Sequence, residues 1–69
     1  MEMEPVDSSY LKAVGYDPIE RLMRIEFKGG ATYDYPGTLP HEHQALMDAP
    51  SRGKHFHAHV RGRENTKVK

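Results

Sequence analysis

The chain has 69 residues, ten basic against ten acidic groups, four tyrosines, two phenylalanines, and neither cysteine nor tryptophan. That length fills one domain and leaves too few side chains for a second core. The missing cysteines exclude a disulfide framework, a thiolate zinc site and a cysteine nucleophile, and no apolar run approaches the roughly 18 residues of a membrane span.

The first eight residues, with Pro5 and the pair Ser8-Ser9 at their end, predict a flexible N-terminal arm over 1–8. The domain then runs over 9–63. From Tyr10 the pattern is that of strands. Met23, Ile25 and Phe27 alternate with Arg24, Glu26 and Lys28, and Ala31, Tyr33 and Tyr35 alternate with Thr32 and Asp34, the period of two of half-buried strands. Asp17-Pro18 and Gly29-Gly30 are turn signals between them, the second supplying a positive φ for a short hairpin. Three strands joined by short turns predict an antiparallel meander.

Pro36-Gly37 ends the third strand. Pro40 suits the first turn of a helix reaching about Ala49, with Leu39, His43, Leu46 and Met47 on one face, and Pro50 stops it. Ser51 is placed to cap a second helix over about Arg52 to Arg61, in which Phe56 and Val60 are four apart and share a face, with Gly62 as its stop. The segment 64–69 has no apolar periodicity and reads as a frayed tail. The expected fold is α+β: a three-stranded antiparallel meander followed by two short helices packed on one face, β-β-β-α-α.

The neutral total hides a split. Residues 1–48 hold four basic and nine acidic groups, a net of −5, and residues 49–69 hold six basic groups and Glu64 alone, a net of +5. A basic binding end is one reading; attraction between the two halves, within the fold or across a dimer, is the other. The start, MEMEPVDSS, is acidic and lacks the pattern of a secretory signal, so a cytoplasmic protein is expected.

Several of these residues coincide with a known family. The spacing Ser9-x-Leu11-x-x-Val14-Gly15-Tyr16-Asp17, the Tyr33-x-Tyr35 centre after Phe27 and Gly30, Leu39-Pro40, and Ser51-x-Gly53-x-x-Phe56-His57-x-x-Val60-Arg61 resemble the KTSC domain. That family occurs at the C-terminus of some lysyl-tRNA synthetases and as stand-alone bacterial and phage proteins. The resemblance implies no established activity, and RNA binding only through the attachment to a tRNA synthetase. The family often has Asn where this chain has His57.

The candidate nucleic-acid-binding residues are Tyr33, Tyr35, Arg52, Lys54, His57, Arg61 and Arg63. Aromatic rings on a sheet can stack unpaired bases while nearby cations reach phosphates. The same two tyrosines could instead continue the core face of Met23, Ile25 and Phe27, and a chain with so few large aromatics favours that use. In a helix, His55 and His59 share a face, but no established zinc pattern is present, and no metal site or cofactor is expected. No nucleophile elbow or phosphate-binding glycine loop occurs, so no enzyme activity and no small-molecule substrate are expected. The expected function is a non-enzymatic binding module whose partner is RNA or, alternatively, a protein or a second copy, and no membrane partner is expected.

Overall fold

The computed structural model describes Met1–Lys69. Its elements are β1 (Met3–Pro5), β2 (Leu11–Asp17), β3 (Leu22–Phe27), β4 (Thr32–Tyr35), α1 (Pro40–Asp48), α2 (Arg52–His59) and β5 (Thr66–Lys67). The α+β class and the order of the three central strands and two helices are as the sequence predicts. The sheet, however, has five antiparallel strands in the order β1-β2-β3-β4-β5, not three.

The two added strands correct the reading of the ends. Met3–Pro5 lies within the expected arm and pairs with β2 through Met3↔Gly15, Glu4↔Val14 and Pro5↔Ala13. As an edge strand it tolerates Pro5, whose missing N–H would face solvent. Thr66–Lys67, within the expected frayed tail, pairs with Tyr33 and Asp34 of β4. The Val68 N–H donates to the Thr32 carbonyl and the Thr32 N–H to the Lys69 carbonyl, each at 2.8 Å, so the pairing continues past the strand. Main-chain bonds hold this exposed edge, and they need no apolar alternation.

Turn chemistry sets the central register. Asp17 Oδ1 accepts from the Ile19 and Glu20 N–H groups, closing the β2–β3 turn, and Thr38 N–H donates back to the Arg21 carbonyl at 2.9 Å. Between β3 and β4, Gly30 takes φ 103°, and its N–H donates to the Phe27 carbonyl while Phe27 N–H donates to that of Ala31. This is the three-residue hairpin that needs a left-handed residue before the second strand. The β2–β3 register shifts between Leu11 and Ala13, leaving Lys12 as the extra residue of a bulge.

One sheet face carries the core. Leu11, Val14, Met23, Ile25, Phe27 and Tyr35 cluster with Leu46 of α1, Phe56 of α2 and Val60 just beyond it. The helices thus cover the face made by alternate strand residues, as the period of two requires. On the other face Arg24 donates to both Asp34 oxygens, at 2.7 and 2.9 Å, between directly opposite residues of β3 and β4.

Both helix starts are set by their first turns. Pro40 opens α1, and the Glu42 carboxylate accepts from the Leu39 N–H at 2.8 Å. Ser51 Oγ accepts from the Lys54 N–H at 3.4 Å at the start of α2. The end of α2 differs from expectation. The helix stops at His59, not near Arg61, and Gly62 does not adopt a positive φ. Burial of Val60 in the core and the turn closed by Arg63 N–H on the Val60 carbonyl end it instead.

Candidate nucleic-acid interface

Ser8 fixes the first aromatic of the site. Its Oγ accepts from the Tyr10 and Leu11 N–H groups, both at 3.1 Å, so Tyr10 is held at the entrance to β2 and over α2. There its ring stacks on His57, centroids 4.9 Å apart and 23° between planes, and tilts against Phe27 at 5.2 Å. Tyr10 is 41% exposed. Sequence reasoning missed it, because a single tyrosine ahead of a strand carries no periodic signal.

Tyr33 and Tyr35 share the core face, opposite Ile25 and Met23 respectively. Their fates differ. Tyr35 is 3% exposed and meets Phe56 edge-on at 5.8 Å, so its ring is core and unavailable for stacking. Tyr33 is half-buried, edge-on to Phe27 at 5.9 Å, and keeps part of its ring free. Burial pushes the Tyr35 phenol up from its ordinary value, and Tyr10 and Tyr33 push it further, so it stays protonated at neutral pH.

These rings border a groove of about 430 Å³ lined by Tyr10, Phe27, Tyr33, Tyr35, Phe56, Arg61 and Asn65, together with Gly29 and Ala31 of the hairpin. Lys67 stands directly opposite Tyr33 across the β4–β5 pair and so projects on the same sheet face. On α2, Lys54 and His57 lie about one turn apart on the exposed side, and Arg61, two residues past the helix end, lines the groove. The result is an aromatic groove with Arg61 in its lining and Lys67 on the same sheet face.

The other two expected arginines are spent inside the fold. Arg52 Nη2 donates to the Met47 carbonyl at 2.8 Å, where it satisfies one of the open carbonyls at the end of α1, and its Nε is buried without a partner. Arg63 Nη2 donates to the Gly37 carbonyl at 2.9 Å, and Nη1 lies 3.5 Å from the Glu42 carboxylate, with the side chain 24% exposed. Of the seven candidates, Tyr33, Tyr35 and Arg61 line the groove, and His57 stacks on Tyr10 beside it. Lys54 lines a separate shallow cleft with His55 and His59, and Arg52 and Arg63 serve as internal staples.

The remaining histidines lie elsewhere. The His55 and His59 rings are 4.6 Å apart in a cleft shared with His41, Glu42 and Arg63. Burial and the neighbouring His59 hold the His55 imidazole below its ordinary pKa. No three His, Asp or Glu side chains converge in a metal-binding arrangement. His43 stacks on Tyr16 at 4.6 Å with 9° between planes, and burial holds its pKa down against the opposite pull of Glu4. No helix is long and apolar enough to cross a membrane.

Comparison with known proteins places this geometry in a family. The KTSC domain family model matches residues 7–63. The chain resembles the crystal structure of a KTSC domain protein from Yersinia pestis with a TM-score of 0.92 and 36% identity, over 99% of this chain and 97% of that one. A protein of Tsukamurella paurometabola is 41% identical over 61 residues, covering 88% of this chain and 91% of the relative. The lysine–tRNA ligase of a Nostoc species is 36% identical over 59 residues, which cover 81% of this chain and only 10% of the ligase. With the family model matching residues 7–63 and the fold matching that of a KTSC domain protein, the chain belongs to the KTSC domain family.

Proposed function

We propose that the chain is a non-enzymatic module that binds single-stranded RNA along the exposed side of α2 and into the aromatic groove at its end. The observation that carries this reading is the aromatic groove itself, with Arg61 in its lining, Lys67 on the same sheet face and the Tyr10–His57 stack beside it. Cations reach phosphates without regard to sequence, and aromatic faces accept any unpaired base. A segment similar to this chain forms part of an enzyme named for its action on tRNA, which supports a partner of the same chemical class.

A protein or self-association role is the competing reading, resting on the split of charge between the two halves. Part of that split is consumed within the chain, where Arg63 of the basic half pairs with Glu42 of the acidic half. Arg61, which pairs with no carboxylate, lines the aromatic groove, and Lys67 projects from the same sheet face, which favours RNA.

The test is the salt dependence of affinity for a labelled single-stranded RNA, with Lys54→Ala and Arg61→Ala beside the parent chain. Lys54, Arg61 and Lys67 together predict a slope of log affinity on log salt of about −2, at roughly −0.7 per phosphate contact. Each variant weakens binding across sequences and flattens the slope by about 0.7. No binding at low ionic strength, or variants indistinguishable from the parent, refutes the reading.

A further inference from the structure

We propose that the groove captures one unpaired base of the RNA, stacked on the exposed faces of Tyr10 and Tyr33, with the Tyr35 hydroxyl donating a hydrogen bond to an acceptor on the base edge. The inference rests on the RNA-binding reading and adds what that reading does not specify: the nucleic acid is read through a base as well as through phosphates.

The first observation is the state of Tyr35. It is 3% exposed and lines the groove, and no group of the chain is hydrogen-bonded to its hydroxyl. Tyr16 sets the contrast, since its hydroxyl donates to the Thr38 carbonyl at 2.6 Å. The hydroxyl atom itself is not buried, so it opens to solvent at the groove and is free to donate to an outside acceptor. Burial, with Tyr10 and Tyr33 adding to it, holds the Tyr35 phenol above its ordinary value, so the donor is present at neutral pH.

The second observation is the match of walls and rim to a nucleotide. Phe27 and Phe56 meet edge-on at 5.2 Å beneath the groove, with Tyr10 and Tyr33 on either side of Phe27 in the chain of ring contacts. The volume of about 430 Å³ lies within the roughly 300–1,000 Å³ of small-ligand clefts. Arg61 and Lys67 flank it, and neither forms an ion pair within the chain. A base seated on the rings leaves its two phosphates beside these cations. Asn65, held by its own Nδ2 donation to the Arg63 carbonyl at 2.9 Å, offers its amide oxygen as an acceptor at the same rim. In duplex RNA the base faces are stacked and the Watson–Crick edges paired, so a groove of this shape takes only an unpaired base.

The experiment compares a single-stranded RNA hexamer with the same hexamer carrying one abasic position, by fluorescence anisotropy, on the parent chain and on Tyr35→Phe and Tyr33→Leu. Tyr35→Phe keeps the core ring and removes only the donor, so thermal unfolding of that variant should match the parent. Its affinity for the intact hexamer should fall between about 3-fold and 10-fold, the worth of one net hydrogen bond. Placing the abasic position at the seated nucleotide should weaken parent binding by about 5-fold to 100-fold. A second readout is tyrosine emission. With four tyrosines and no tryptophan, it should be quenched by the intact hexamer and less so in Tyr33→Leu. If the parent binds the intact hexamer, and neither Tyr35→Phe nor an abasic substitution at any position changes the affinity, base capture is wrong and phosphate contacts alone account for binding. If the parent binds neither hexamer at low salt, the RNA reading itself fails.

Discussion

Phe56→Ala should remove the support on which both the core and the groove rest. Phe56 is 2% exposed and touches the rings of Tyr10, Phe27, Tyr35 and His57, with centroids between 5.2 and 5.9 Å. Truncation of a buried phenylalanine costs about 3–5 kcal/mol. The aromatic partners place this site in the upper half of that range, since each well-oriented ring pair adds about 0.5–1.5 kcal/mol beyond area. A domain of this size has roughly 3 to 10 kcal/mol in total. The variant should therefore lose about 40% or more of its stability, and Phe56→Leu, which keeps most of the volume, well under half of that amount. Urea unfolding followed by far-ultraviolet circular dichroism measures both. A loss below about 1.5 kcal/mol for Phe56→Ala would refute the claim that this ring anchors α2 to the sheet.

Gly15→Val should detach β1 while leaving the rest folded. A Cβ at Gly15 would lie 2.6 Å from Met3 Sδ and 3.1 Å from the Glu2 carbonyl oxygen, and the methionine can swing away more easily than the main chain. Hydrogen exchange should show the Val6 amide, which donates to the Lys12 carbonyl, losing protection while β3 and β4 keep theirs. The histidines predict a pH dependence of fixed sign. His43 and His55 both have pKa values held below the ordinary 6.5, chiefly by burial, so the folded state favours their neutral forms. Their contribution is complete above pH 6.5 and is lost as pH falls through the depressed folded values. Thermal unfolding between about pH 7 and pH 5 should show this decline, and His43→Gln should flatten it.

The core was legible where burial imposes a period. Met23, Ile25 and Phe27 alternate because one face of β3 is covered, and Tyr33 and Tyr35 continue that face through direct pairing with Ile25 and Met23. The four-residue spacing of Phe56 and Val60 likewise predicted which side of α2 meets the sheet, and both are buried. The outer strands were not legible, because β1 and β5 are short and held by main-chain hydrogen bonds, which leave no side-chain pattern. The site was half legible for a related reason. Arg52, Arg61 and Arg63 look alike in sequence, yet carbonyls of Met47 and Gly37 claim the first and third and leave Arg61 free. Tyr10 gave no sign of its place, since Ser8 and the Lys12 bulge set its position locally, while its partners come from β3 and α2.

An amide-resolved NMR titration of the labelled chain with a short single-stranded RNA, at low and at physiological salt, tests the RNA-binding account most directly. The account predicts shifts concentrated at Tyr10, Tyr33, Lys54 through Arg61, Asn65 and Lys67, with affinity falling as salt rises. Silence at low salt would contradict it, as would shifts confined to the opposite sheet face around Arg24, Glu26 and Asp34.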